Sequence, residues 1–377
     1  MYLLYAPPEK FGLVPSGIGL ISPDIKFYMN VAFCPTFYWK KVHVDNGCQD
    51  ISPKVFRKIR KKRPFVMIAV FAKGGIGDCL WAMPLVRAIA EKNPKAKIAI
   101  ITEPKRKPIW DYCPFISAVV QDAYWNIVGI TSKCDEVYDF GGVATIYKKF
   151  MKYDPIEASF KMIGLPVPKD KEKCRPKITL SVDEGKRAEA FLKSKKVDTK
   201  TDTIISIGLR ASTNNRHWPF EYVQDLSKAL IADGHKVIWL GDEPRFSEEN
   251  IKPLDIVDGV INLVNQTDLR QAMTVISLSD LYIGPNSGLM VIATSLMTPT
   301  IGLFGAFDPK IRSKYYERFS GLWKRISCAP CNEHWTECRK GHPAPCMKEL
   351  LPSDVYKEAV EMLKKYPRSL LEKLPMR

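Results

Sequence analysis

The chain has 377 residues, 46% hydrophobic and 26% charged, an ordinary globular composition with room for about two domains. No apolar run reaches the ~18 residues of a membrane span, and the start, Met-Tyr-Leu-Leu-Tyr-Ala-Pro-Pro, lacks the basic opening and long apolar stretch of a signal peptide. The net charge is +16, with +12 in residues 1–190 and +4 in the rest. The first half is therefore expected to meet something acidic, such as a phosphorylated glycolipid, an anionic membrane surface or nucleic acid. A solvated basic surface is the plain alternative. Ten cysteines without a secreted-domain spacing favour a reducing cytoplasm.

Residues 1–50 are rich in proline, glycine and aromatics, and short strands over 26–33 and 37–44 fit them. An added β hairpin or lid is expected there. Residues 54–63 carry seven basic groups and no acid, which suits a phosphate-binding patch or a solvated face equally.

Phe65–Ala72 is a buried strand, followed by Gly-Gly-Ile-Gly-Asp at 74–78 and a helix from about Cys79 to Lys92, with Pro84 in its first turns. No Gly-Lys-Ser/Thr follows, and the dinucleotide spacing is absent. The turn offers one carboxylate, Asp78, at a helix N-terminus that favours its ionised form. Such a group can accept a proton from a hydroxyl, or simply cap the helix. Strands at Lys97–Thr102 and 135–140 continue the first half. The polar, proline-rich 165–178 reads as a connection, closed by a helix over 186–196.

Thr203–Leu209 opens a second series of alternating strands and helices. The loop 210–219 holds two hydroxyls, two amides and two guanidinium groups just past a strand end. Arginine is suited to bidentate phosphate contacts. A helix runs from Pro219 to about Asp233, a strand over His235–Gly241, and a helix capped by Thr267 or Asp268 to Leu278. Residues 282–305 then read as strand, turn at Gly284-Pro285, apolar helix capped by Asn286 or Ser287, and second strand. The bare N–H groups at that helix start suit a diphosphate. Strand–helix alternation in both halves predicts an α/β protein of two doubly wound, Rossmann-like domains with a cleft at the carboxyl ends of both sheets.

Cys328, Cys331, Cys338 and Cys346, with His334 and His342 between them, fit a tetrahedral zinc site in kind. Their later spacings match no standard finger, and free or paired thiols weigh slightly more. Ser353 is the expected cap of a final helix to about Lys365.

With these motifs in hand, the chain resembles the heptosyltransferase family of GT-B glycosyltransferases (glycosyltransferase family 9) over about 65–350. The carriers are Gly77-Asp78-Cys-Leu-Trp-Ala-Met-Pro84, then Ser212-Thr-Asn-Asn-Arg216-His-Trp218-Pro219, then Gly284-Pro-Asn286-Ser287-Gly288-Leu289-Met290-Val291 with Thr-Pro-Thr-x-x-Leu-Phe-Gly after it. Two positions depart from the family pattern. Asn286 stands where the family has an acid, and Val291 where it has a histidine. The amide brings no charge, which opens the site to donors other than ADP-heptose.

The resemblance implies an N-terminal extension over 1–62, an acceptor domain over 63–185, a nucleotide-sugar domain with a cysteine-rich tail over 186–350, and a C-terminal helix over 351–377. It implies inverting transfer from a nucleoside-diphosphate sugar without a catalytic cofactor. Asp78 would be the base, with Lys73, Gly75 and Gly77 around the acceptor. Ser212, Thr213, Arg216, Gly241, Asp242, Thr267, Asn286, Ser287, Gly288 and Leu289 would hold the donor. A lipopolysaccharide-type or other surface glycan is the expected acceptor, met in the cytoplasm or at the inner face of the membrane. A hydroxylated base in nucleic acid, as for some viral glycosyltransferases, and a non-catalytic binding module are the alternatives.

Overall fold

The computed structural model describes residues 2–5, 31–34, 49–50, 65–122, 130, 134–139, 152–242, 255–332 and 338–368. The basic run 54–63, the expected strand over 37–44 and His334 lie outside them. At the N-terminus, β1 (Tyr2–Tyr5) pairs antiparallel with β2 (Val31–Cys34) on one side and β3 (Gln49–Asp50) on the other.

Four parallel strands follow: β4 (Met67–Phe71), β5 (Lys97–Thr102), β6 (Ala118–Gln121) and β7 (Glu136–Asp139), in the order β6-β5-β4-β7. All five residues of β4 are buried, which its unbroken apolar sequence requires of a strand covered on both faces. Helix α1 (Ile76–Lys92) connects β4 to β5 and begins three residues before the expected Cys79. Pro84 is therefore in its interior rather than its first turns, and the bond its missing N–H would make to Leu80 is forfeited. Both side chains are buried. Helices α2 (Pro155–Met162) and α3 (Val182–Ser194) lead to the second sheet. The latter starts four residues before the expected 186, because Ser181 and Glu184 form a reciprocal capping box.

The second sheet has six parallel strands: β8 (Ile204–Gly208), β9 (Lys236–Leu240), β10 (Ile261–Asn262), β11 (Leu281–Pro285), β12 (Thr300–Phe304) and β13 (Phe319–Trp323). Their order is β10-β9-β8-β11-β12-β13. Helices α4 (Phe220–Ala232), α5 (Leu269–Leu278) and α6 (Gly288–Ser295) cross between them, and α7 (Pro352–Lys365) packs near the end. Gly284 and Pro285 are not turn residues. They close β11 in register with Gly302 and Leu303, and the chain turns only after Asn286 donates its N–H to the Leu303 carbonyl. Leu351, not Ser353, occupies the N-cap position of α7; Ser353 lies in its first turn.

The strand order of each sheet reverses once, between β4 and β7 and between β8 and β11. Such switch points open a crevice beyond the strand ends, where loops can reach a ligand. An apolar cluster runs from one sheet to the other, including Ile68, Leu80 and Val86 from the first and Tyr282, Met290 and Val291 from the second. It brings α1 against α6. A Cβ on Gly288 would lie 2.7 Å from the Ile76 Cβ, so only glycine allows this approach.

Candidate active site

The β4–α1 turn places Asp78. Gly74 takes φ of +100°, a conformation costly for any side chain. The chain then doubles back so that Gly75 N–H donates to Asp78 Oδ2 at 2.7 Å. Asp78 is thus the third residue of α1, not its N-cap. Among the described residues, Oδ1 accepts no hydrogen bond. Burial raises this carboxyl above its ordinary range, opposed by the Gly75 N–H and the charges of Arg312, Arg216 and Arg106. The result is a half-buried acid with one oxygen anchored and the other open.

The β8–α4 loop places Arg216, 8% exposed. Its Nε donates to Thr213 Oγ1 at 2.9 Å, Nη2 to Ser212 Oγ at 2.6 Å and Nη1 to the Asn286 carbonyl at 2.8 Å. The guanidinium thereby ties the β8 loop to the β11 loop across the switch point. Burial first, then the charge of Arg312, pushes its pKa down to about 10, so it remains charged near neutrality. Ser212 and Thr213 serve this guanidinium, and Thr213 also donates to Asn215 Oδ1 at 2.7 Å. Ser287 sits at the N-cap of α6 but its hydroxyl does not cap the helix; its buried Oγ lies beside the buried Tyr282 hydroxyl, and neither makes a hydrogen bond of ordinary geometry among the described residues. A buried hydroxyl beside unpaired helix N–H groups and a guanidinium fits an anionic ligand such as a diphosphate.

Sequence reasoning missed a third arm. The segment after β12 carries Arg312, 3% exposed, with its guanidinium 4.5 Å from the Phe307 ring centroid and 5.8 Å from that of Trp81. Trp81 is one helical turn beyond Asp78 and donates from Nε1 to Tyr316 Oη at 2.8 Å. Next to it, Lys314 Nζ and Tyr315 Oη both donate to Glu157 Oε1 on α2, at 2.5 and 2.8 Å. Asp154, the buried N-cap of α2, is pushed up to about 7, by burial first and Glu157 second. Nothing in Asp308-Pro-Lys-Ile-Arg312 marks it in sequence; folding alone carries it across to α1.

The remaining expected residues distribute as follows. Gly77 packs toward Val291 and Trp81 on the α1–α6 seam. Lys73 pairs with Asp122 at 3.4 Å. Gly241 directly follows β9 with φ of +141°, and its carbonyl accepts from Asn265 N–H at 3.0 Å. Asp242 is exposed, and Thr267 and Leu289 are half-buried on the same side of the sheet as the other strand ends. Cys328, Cys331, Cys338 and Cys346 are free thiols, and no group of three or more His, Cys, Asp or Glu among the described residues could hold a metal ion. The Cys346 thiol is pushed up to about 11 by burial, then by its three neighbours. The tail holds the β8–α4 loop: Trp218 Nε1 donates to the Leu350 carbonyl, and the His217 and His342 rings meet edge-on at 5.8 Å.

Known proteins share this architecture. The chain resembles a solved glycosyltransferase of family 9 from Veillonella parvula, with a TM-score of 0.64 over 81% of this chain and 99% of that one, at 15% identity. It resembles the ADP-heptose lipopolysaccharide heptosyltransferase II of Escherichia coli with a TM-score of 0.60 over 80% and 99%, also at 15% identity. These likenesses establish the GT-B fold. Among curated sequences it is similar to the lipooligosaccharide heptosyltransferase 2 of Haemophilus influenzae, at 28% identity over 138 residues, which are 35% of this chain and 40% of the relative. For the lipopolysaccharide heptosyltransferase 2 of E. coli K12 the figures are 29% over 98 residues, 25% and 28%. The chain thus spans less than half the length of these curated relatives. The family model described as glycosyltransferase family 9 (heptosyltransferase) matches residues 149–342, and the chain belongs to that family.

Proposed function

We propose that the chain is an inverting, metal-independent glycosyltransferase that moves a sugar from a nucleoside-diphosphate sugar to a hydroxyl of a lipopolysaccharide-type glycan. The observation that supports it best is the opposition of two unlike surfaces. Asp78 stands at the switch turn of the first sheet, and Arg216 with the open start of α6 stands at the switch point of the second. Asp78 would take the proton from the acceptor hydroxyl as its oxygen attacks the anomeric carbon. The nucleoside diphosphate would leave from the opposite face, which inverts the configuration in a single displacement. Arg216, the Ser287 hydroxyl and the first N–H groups of α6 would stabilise the charge gathering on that diphosphate. These groups supply the positive field that a divalent cation provides in other transferases.

Gly241, Asp242 and Thr267 would face the nucleoside, and Gly75, Gly77 and Lys73 the acceptor. Asn286 offers an amide rather than a charge, so the donor's sugar is set by hydrogen bonds there. The names of the curated relatives favour a glycan acceptor over a nucleic-acid base. A cytoplasmic location, at the inner face of a membrane that carries such an acceptor, belongs to the same proposal. No helix among the described residues is long and apolar enough to cross a membrane. The test is transfer from a panel of labelled nucleotide sugars, ADP-heptose included, to lipopolysaccharide core and to hydroxymethylated DNA. The expected product is a glycosylated core; labelled DNA instead would replace the acceptor, and no transfer to either would sink the reading.

A further inference from the structure

The Asp78 carboxylate is surrounded by elements of both halves. Its own turn gives the Gly75 N–H and the neighbouring Cys79 thiol. The 3-10 segment Pro104–Trp110 brings Arg106, whose Nε donates to the Gly74 carbonyl, with Glu103 just before it. The β8 loop brings Arg216, and the turn after β12 brings Arg312 and Tyr316. Behind Arg312 lies α2 with Asp154 and Glu157, the latter engaged by Lys314 and Tyr315. Of the three cations that act on Asp78, Arg106 belongs to the first half. Arg312, which acts most strongly, and Arg216 come from the second.

Arg216 is already committed to three hydrogen bonds within its own half. Arg312 sits across the seam between the halves. It is buried between the ring of Phe307, from its own half, and the ring of Trp81, from α1. Its place therefore exists only where the halves meet. We propose that Arg312 is the positioning residue for the Asp78 carboxylate: delivered by the second half, it holds the base toward its charged form against the burial that the meeting of the halves imposes.

The physical basis is an opposition of signs. Withdrawal from water favours the protonated carboxyl, a nearby cation favours the carboxylate, and the cation acts more strongly once water is excluded. Where the halves meet, the Asp78 carboxyl is withdrawn from water, which raises it, and the Arg312 guanidinium opposes that rise. Asp154 and Asp78 both act on Arg312, so the guanidinium lies in the field of two carboxylates. The Glu157–Lys314–Tyr315 contact fastens the same segment to α2. The inference rests on reading Asp78 as the base.

A titration that needs no substrate tests it. Protein labelled with 13C at aspartate carboxyls is titrated, and the Asp78 signal is assigned by its loss in Asp78→Asn. In Arg312→Gln the midpoint should rise by about one pH unit or more. Arg312→Lys should return most of that shift, because it restores charge without the planar stack. If Arg312→Gln melts below the assay temperature, Arg312→Met carries the same test with an apolar stem between the two rings. In transfer from ADP-heptose to lipopolysaccharide core, the acidic limb should move up with the midpoint, and the alkaline rate should return toward wild type. An unmoved midpoint, or an equal loss of rate at every pH, overturns the role of Arg312 while Asp78→Asn stays inactive. Wild-type transfer by Asp78→Asn overturns the base assignment beneath it.

Discussion

The two switch points share a topology and differ in chemistry. At the first, a tight glycine turn presents one carboxylate, held by a single N–H and raised by burial. At the second, a guanidinium is fixed by three hydrogen bonds and stays charged despite burial. On the proposed reading, the first is a group whose charge changes during the reaction, and the second is a field whose charge does not. A base works best when its pKa is adjustable by its surroundings, whereas stabilisation of a leaving group needs donors fixed in advance.

Substitutions at the two points should therefore fail in different ways. Asp78→Asn is expected to reduce turnover by about 10²–10⁴-fold while nucleotide affinity stays near wild type. Wild-type turnover would reduce Asp78 to a helix-start residue. Arg216→Ala should lower turnover by about 10²–10³-fold and also weaken binding of ADP, measured by calorimetry. Unchanged affinity with unchanged rate would remove Arg216 from the site. The contrast between the two variants matters more than either loss, since only the second is expected to affect binding.

The seam between the regions can be broken directly. Gly288→Val places a side chain where even a Cβ would be 2.7 Å from the Ile76 Cβ. The cost should be about 1–3 kcal/mol of stability, with slower transfer, and Ile76→Ala in the same chain should recover part of both. A valine variant that melts and turns over like wild type would mean that the halves do not need this approach.

The smallest effect concerns Asp154. Its native pKa of about 7 lies above the ordinary 3.8, so the folded protein binds this proton more tightly than the unfolded chain. Stability from this group is therefore lost as pH rises from about 4 to 7. Asp154→Asn keeps an oxygen for the Ile156 N–H but cannot ionise. Its melting temperature should gain on wild type by a few degrees across that window, at roughly 2–4 °C per kcal/mol. A gap that is constant with pH would contradict the shift.

What was legible in sequence follows from the range of each signal. Asp78 stood out because glycine turns and helix starts are local. β5 matched its expected bounds because its apolar run is continuous and flanked by turns. β6 and β10 were overlooked because four and two residues carry little pattern. β13 was overlooked because its edge position leaves every residue half-buried. Gly284-Pro285 looked like a turn, yet pairing with β12 keeps it extended, since parallel neighbours supply bonds that local preference cannot reveal. Arg312 was illegible for the deepest reason. It is one of 57 basic residues, and only the packing of the β12 turn on α1 distinguishes it.

The most direct measurement is the pH dependence of kcat/KM for transfer from ADP-heptose to lipopolysaccharide core, in wild type and Asp78→Asn. A base must be ionised to work, so activity should fall toward acid. Because burial raises Asp78, the midpoint should lie above the ordinary aspartate value of about 3.9. That limb should vanish from the residual activity of Asp78→Asn. A limb that persists unchanged in the variant would contradict the account, because the titrating base would then be another group.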